Sequence, residues 1–353
     1  MKKNINNTKD KNLVKLAFAS TNQYWRENVP QNVSLEIKGK DFVAWGNDNQ
    51  FPQFLYDLYK NCSTLQSIIN GTIDFVLGDE ILSNLNDDRE HIENICKDYL
   101  LYGVSYINVL RNALNEVTSI SVIDAKNVRT NKDNTVFYYS KDWSKSYGRV
   151  DCIMLPIFSP NATDKSSVIM LKKNDRDTYP TPIYAPSIKS IMTDLEISKY
   201  HLNEILNNFS ASAIINFNNG QPDDESKFEI EELISEKFCG SENSGRFLLA
   251  FNDNKDNAVT VERLNTDDFD ERYNAVYKKV RQDIFTAFRA NPNLFGIPTE
   301  NLGFSSEEYE SSFKIYNKIM VQGIQKKIID ILSKIGYTVE IKPFNLNNNE
   351  IID

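Results

Sequence analysis

Apolar side chains recur every third or fourth residue over several stretches, and the two longest such stretches lie towards the end of the chain. Phe269, Tyr273, Val276 with Tyr277, Val280, Ile284 and Phe288 form one stripe. Tyr309, Phe313, Tyr316, Met320, Ile324, Ile328, Leu332 and Ile335 form the other. Each predicts a helix with one buried face. The first is polarised, with Asp267, Asp268, Asp270 and Glu271 in its opening turn and Lys278, Lys279, Arg281 and Arg289 later, the signs that a helix dipole favours. Asn291-Pro292 stops it. The second opens with Ser305-Ser306-Glu307-Glu308, a capping box. It keeps helical spacing for roughly seven turns, against an average of about three, with Gly323 as the place where it can bend. Between them lies a loop rich in Leu294, Phe295, Ile297, Leu302 and Phe304, with Glu300 almost its only charge. A loop so apolar is packed away or pressed against a partner.

The rest of the chain reads as α+β. Phe54, Leu55, Leu58 and Tyr59 predict one helix, and Leu65, Ile68, Ile69, Ile73, Val76 and Leu77 a second that ends at Gly78. Asp87 to Tyr102 predicts a third, ended by Gly103. Then Val104–Leu110, Val117–Ile123, Val136–Tyr139, Val150–Leu155 and Val168–Leu171 are short β-branched or aromatic runs separated by turn residues, the pattern of an antiparallel sheet. The Pro cluster from Tyr179 to Pro186 reads as a stiff boundary, and Ser187 as the cap of a helix running through Ile188, Ile191, Leu195, Leu202, Ile205 and Phe209. Ala213–Phe217 and Arg246–Phe251 read as strands flanking an acidic helix, Asp223–Phe238, and a tight turn, Gly240–Gly245, with Val259–Val261 as a third strand. That is a small unit carried on a pair of long helices.

Composition narrows the chemistry. With 353 residues, 41% of them hydrophobic, the chain buries one or two cores. Nothing in it resembles a membrane span or a secretory signal, so the expectation is a soluble protein made in the cytoplasm. A net charge of −9 argues against a nucleic-acid-gripping surface but leaves open one that lets nucleic acid pass. Cys62, Cys96, Cys152 and Cys239 contain no C-x-x-C pair and read as buried thiols. Gly39-Lys40 is followed by Asp41, so no phosphate-binding G-x-x-x-x-G-K-[ST] exists. His91 and His201 are the only histidines, and Gly103-Val104-Ser105 lacks the closing glycine of a nucleophile elbow. No catalytic, cofactor or metal residue is assigned, although carboxylates gathered in space into a two-metal nuclease site stay open as an alternative.

The order of parts from Tyr184 to Ile335 resembles the portal proteins of tailed bacteriophages. The helix from Ser187 to Asn208 entering Ser212–Phe217 looks like their first stem helix entering the clip. Phe238-Cys239-Gly240-Ser241-Glu242-Asn243-Ser244-Gly245-Arg246 is similar to the clip turn. Phe269 to Ala290, leading into Asn291-Pro292-Asn293-Leu294-Phe295-Gly296-Ile297, looks like the second stem helix and tunnel loop, and Glu307 to Ile335, with Gln322 and Gln325, like the long wing helix.

The resemblance implies a portal fold in these parts: 1–12 a disordered tail, 13–185 an N-terminal wing, 186–209 the first stem helix, 210–263 a small α/β clip, 264–291 the second stem helix, 292–306 the tunnel loop, 307–336 the long wing helix and 337–353 a short crown remnant or tail. It implies a dodecameric ring at one capsid vertex of the virion, assembled in the host cytoplasm, through which double-stranded DNA passes non-specifically during packaging and ejection. The expected partners are further copies of the chain, the large terminase subunit, a head-tail adaptor, and the major capsid and scaffold proteins. No membrane is involved, and ATP hydrolysis falls to the terminase. Asn293, Leu294, Phe295, Gly296, Ile297, Thr299, Glu300 and Asn301 would form the channel loop. Glu225, Glu229, Glu232, Glu236 and Asn243 would contact terminase or adaptor, with mere solubility of that helix as the competing reading. Tyr273, Tyr277, Lys278 and Arg281 would line the stem. The rivals are a metal-dependent nuclease or other soluble enzyme, and a ring-forming adaptor that binds a portal.

Overall fold

The computed structural model describes residues 30–144, 150–173, 176–206, 213–217, 247–251, 267–297 and 306–344. In chain order these contain β1 (Ser34–Glu36), β2 (Val43–Trp45), α1 (Phe51–Asn61), α2 (Ser63–Leu77), β3 (Glu80–Ser83), α3 (Asp88–Tyr102), β4 (Val104–Arg111) and β5 (Val117–Ile123). Next come β6 (Val128–Thr130), β7 (Val136–Tyr139), β8 (Ile153–Pro156), β9 (Ser166–Lys172), α4 (Ile188–Leu206), β10 (Ala213–Phe217) and β11 (Phe247–Phe251). Then follow α5 (Asp267–Ala287), α6 (Ser306–Tyr316), a π turn (Asn317–Val321), α7 (Gln322–Ser333) and β12 (Val339–Lys342).

The first three helices form where the periodicity places them, and glycines end two of them. Gly103 closes α3 in the left-handed region at φ 80°. Gly78, after α2, sits at φ 63°, and a β-carbon there would lie 2.0 Å from the carbonyl oxygen of Lys342. No other residue fits that joint, because both the dihedral angle and the space exclude a side chain. The approach arises because β12 returns from the end of the chain to pair antiparallel with β3. The segment expected as a crown remnant or tail thus begins as a strand joined to the N-terminal half, with Phe344 against Phe75 and Phe313.

The strand-rich unit is two sheets instead of one. β5, β4 and β9 form an antiparallel sheet centred on β4. The other runs β1-β2-β6-β7-β8, and every pairing in it is antiparallel. β1, β2, β3 and β6 escaped the sequence reading because three or four residues are too few to display an alternation. The sheets share a core with α1, α2 and α3, and that core continues onto α5 and α7.

One polar hub ties this unit together. Trp45 stacks on Tyr179 with ring centroids 4.3 Å apart and 7° between planes. The Tyr179 hydroxyl donates to the Val43 carbonyl at 2.6 Å and accepts from the Thr130 amide at 3.0 Å. Arg129 is buried beside them, and the hydrogen bonds it donates go to an amide oxygen and backbone carbonyls. Its Nε donates to Asn49 Oδ1 at 2.5 Å, and its other nitrogens donate to the carbonyls of Asn49, Lys126 and Val128. Burial lowers its pKa to about 10, so it stays charged at neutral pH, solvated by oxygens that the fold points inward. The Pro cluster is therefore no exposed boundary: Tyr179 and Tyr184 are both core residues.

Beyond the hub, α4 leads to β10, which pairs in parallel with β11. A parallel pair needs a crossover of a dozen or more residues, and 29 residues separate β10 from β11. The acidic helix read between them, the turn Gly240–Gly245, the strand at Val259–Val261, the basic tail 1–12 and the capping Ser305 lie outside the described residues.

Candidate channel elements

Two helices carry the candidate site. α4 and α5 pack antiparallel, the start of α4 lying beside the end of α5. Ser187, read as the cap of α4, turns its hydroxyl across to donate to the Asp283 carbonyl at 3.0 Å. The Asp283 carboxylate accepts from Ser190 at 3.4 Å and from Lys279 Nζ at 2.5 Å. Tyr184 stacks on Phe288 at 5.6 Å and donates from its hydroxyl to the Leu101 carbonyl at 2.8 Å. Such an aromatic pair adds about 0.5–1.5 kcal/mol beyond its burial. Farther along α4, buried Asp194 accepts from Cys62 Sγ at 3.2 Å and Thr64 Oγ1 at 3.3 Å, fixing that helix to the first turn of α2. Burial pushes the Cys62 thiol up to about 12, so it is not a nucleophile at neutral pH.

Among the residues expected to line the helix pair, Tyr277 and Arg281 come together, the guanidinium 5.2 Å from the ring centroid. Lys278 is exposed next to them. Tyr273 lies on α5 one turn before Tyr277, and its side chain falls outside the description.

The loop after α5 is held at its root. Arg289 takes a left-handed conformation, φ 52°, which ends the helix before Asn291-Pro292 is reached. Asn291 Oδ1 accepts from the Asn293 amide at 3.3 Å, and its Nδ2 donates to Ser312 Oγ on α6 at 2.8 Å. Residues 292–295 then form a single 3-10 turn, closed by Gly296 at φ 80°. Asn293 and Leu294 are 4% and 6% exposed. Phe295 enters a box of aromatic rings, 5.8 Å from Phe285, 5.9 Å from Tyr316 and 6.1 Å from Phe75. The Tyr316 hydroxyl lies 2.7 Å from that of Thr72. Of the eight residues expected in the channel loop, Asn293, Leu294 and Phe295 are therefore spent on anchoring. The apolar character that suggested a bore lining is, at Leu294 and Phe295, the character of a core. Gly296 is exposed and Ile297 half-buried. Thr299, Glu300 and Asn301 lie outside the described residues, as do Glu225, Glu229, Glu232, Glu236 and Asn243.

The aromatic box was not legible beforehand. Its one signal is Gly71, a glycine inside the apolar pattern of α2, where a β-carbon would lie 2.9 Å from the Phe295 ring. The long helix after the loop is also broken one turn earlier than Gly323, by the π turn. That wider turn lets Met320 and Val321, adjacent in sequence, both face the core.

Among the described residues no group of three or more His, Cys, Asp or Glu lies together as a metal site, and no helix is long and apolar enough to cross a membrane.

A mixed fold with paired long helices, a small parallel unit between them and a loop rooted in the core has known counterparts. The phage portal protein family model matches residues 81–334, and the chain belongs to that family. Solved structures agree in fold. The neck of an empty gene transfer agent particle, computed with C6 symmetry, superposes with a TM-score of 0.53 at 13% identity, covering 85% of this chain and 86% of that one. The virion of a native gene transfer agent particle gives 0.51 at 14%, with the same coverage. An HK97-family phage portal protein from Corynebacterium diphtheriae gives 0.50 at 10%, covering 82% of this chain and 94% of that one. No curated protein matches the chain in sequence.

Proposed function

We propose that this protein is the portal subunit of a phage or phage-like particle, forming a ring at one capsid vertex through which double-stranded DNA enters and leaves. The observation that carries this is the family match over residues 81–334. A similar solved neck computed with C12 symmetry favours twelve subunits. In this reading residues 13–185, 307–336 and the strand β12 make the wing, α4 and α5 the stem, and 210–263 the clip. The portal is structural and acts as a conduit, and the missing phosphate-binding loop supports the reading in which ATP hydrolysis falls to a separate terminase. The acidic residues Glu225, Glu229, Glu232 and Glu236 meet terminase and then the head-tail adaptor.

In this reading the channel loop proper is residues 298–305, which follow in sequence the root that Phe295 anchors. It contains Glu300 and no Lys or Arg. A cationic loop would neutralise phosphates and release counterions, binding the duplex tightly; a nearly neutral one narrows the bore and lets the duplex slide. Tyr277, Lys278 and Arg281 belong to the stem wall.

Native mass spectrometry and negative-stain imaging test the ring. A mass near twelve times 40.6 kDa, with a central opening in end views, is expected, and a monomer at high concentration would refute it. Deleting Thr299–Gly303, which spares the anchored root, should leave the ring intact and reduce packaged or retained DNA. Normally filled heads from that deletion would remove the channel-loop assignment.

A further inference from the structure

One side of the long helix carries a groove that none of the other described residues fills. Where α3, the π turn and α7 meet the segment after β9, they enclose an open groove of about 180 Å3. Its floor is Leu100, Met320 and Ile324, all buried. Ile319 forms its lip at 45% exposure, and Ile315, one turn earlier, is 62% exposed. Two large aliphatic side chains thus stand in water on successive turns of a helix whose opposite face is core. The groove is smaller than the roughly 300–1,000 Å3 of small-molecule sites, and suits a single inserted side chain.

Two cations border it. Lys327 Nζ donates to the Tyr99 hydroxyl at 2.7 Å, and Lys173 Nζ to the Thr181 carbonyl at 3.1 Å. Both acceptors are neutral, an ammonium has three donors, and neither lysine forms an ion pair among the described residues.

Gly323 supplies a third, independent sign. A glycine within a helix is less favourable than alanine, and what it offers in exchange is room for a close approach to the backbone. Here a β-carbon would meet nothing within 4 Å. Among the described residues nothing uses the missing side chain, yet it opens directly onto the groove.

We propose that a second copy of this chain fills the groove, inserting an aliphatic side chain flanked by carboxylates, so that this is one half of the interface between neighbours. The inference rests on the ring reading. A ring of identical subunits uses heterologous contacts, so each chain must present one surface that receives and a different one that inserts. Charge favours the same chain as occupant, because 49 acidic against 40 basic residues make its surface a source of carboxylates for Lys173 and Lys327.

The test is native mass spectrometry of the full chain with three variants: Gly323→Ala, Gly323→Leu, and Lys173→Glu combined with Lys327→Glu. Gly323→Ala should melt higher than wild type and still form rings. Gly323→Leu should keep its circular dichroism and melting temperature but lose at least tenfold in ring population, because its side chain occupies the groove. The double charge reversal should lose rings to a similar degree, with the loss deepest at low salt, where repulsion from the neighbour's carboxylates is unscreened. Wild-type-like rings from both Gly323→Leu and the charge reversal would overturn the interface while leaving the ring reading intact. A wild-type chain that never assembles would overturn both. Should Gly323→Leu fail to fold, the charge reversal, confined to partly exposed side chains, decides alone.

Discussion

The ring of Phe295 lies so close to Gly71 that a β-carbon on the glycine would sit 2.9 Å from its Cε1. Residues far apart in sequence thereby form a joint at the end of the described segment after α5: α2 supplies the socket and the 3-10 turn the plug. Phe75, Phe285 and Tyr316 close it from three sides.

That joint gives a sign test. Phe295→Ala should cost about 3 kcal/mol, the low end for a buried Phe because the ring is partly exposed. Gly71→Ala should destabilise the native protein, overpacking of about 1–3 kcal/mol exceeding the gain of about 1 kcal/mol in helix propensity. In the Phe295→Ala background the space is free, and Gly71→Ala should become stabilising. Urea midpoints of the four proteins check this, and additivity would refute the contact.

Asp98 makes stability depend on pH. Its carboxyl accepts from the Ala125 amide at 3.1 Å, but burial, with the nearby Asp124 adding, raises its pKa well above the ordinary range. The folded protein therefore holds a proton that the unfolded chain releases above about pH 4. This contribution is present below the unfolded pKa and is lost as pH rises through the folded one. Asp98→Asn, which keeps the acceptor and removes the titration, should raise the melting temperature at pH 7 and leave it unchanged near pH 3.5. Melting curves between those values measure the difference.

Thiol labelling should report global opening. Burial raises the pKa of Cys62 to about 12, and raises that of Cys96 as well. At pH 8 Cys62 is therefore almost entirely protonated. Both should react with Ellman's reagent only as fast as the protein unfolds, while half-buried Cys152 reacts sooner. Equal native rates for all three would contradict the packing.

Asn49 should prove costlier than an ordinary turn residue. Its Oδ1 accepts both the Trp45 amide at 2.8 Å and Arg129 Nε, and its backbone is left-handed at φ 60°. Asn49→Ala strands two buried donors, one of them charged, at about 1–3 kcal/mol each. A loss of about 3 kcal/mol or more is expected from denaturant unfolding, while a loss below 1 kcal/mol would mean that water replaces the side chain.

Much of the helical framework was legible in the residues. α2 ends at Gly78 and α3 at Gly103, as read, and β5, β7 and β10 appear over the spans read for them. Long repeats carry a signal at each turn, so one irregular residue does not erase them. The hub around Arg129 left no such trace, because its members are single residues whose partners lie on other strands.

From sequence alone came the paired long helices, the strand-rich unit before them, the small unit between them and the family that this order resembles. Local periodicity and capping act within a few residues, so they survive without any knowledge of the fold. Only the tertiary structure decided that Leu294 and Phe295 pack into the core, that the strand-rich unit divides into two sheets, and that β12 returns to β3. Those outcomes turn on which apolar surface meets which other, and a Phe at a loop root is equally apolar whether it faces a bore or fills a socket beside Gly71.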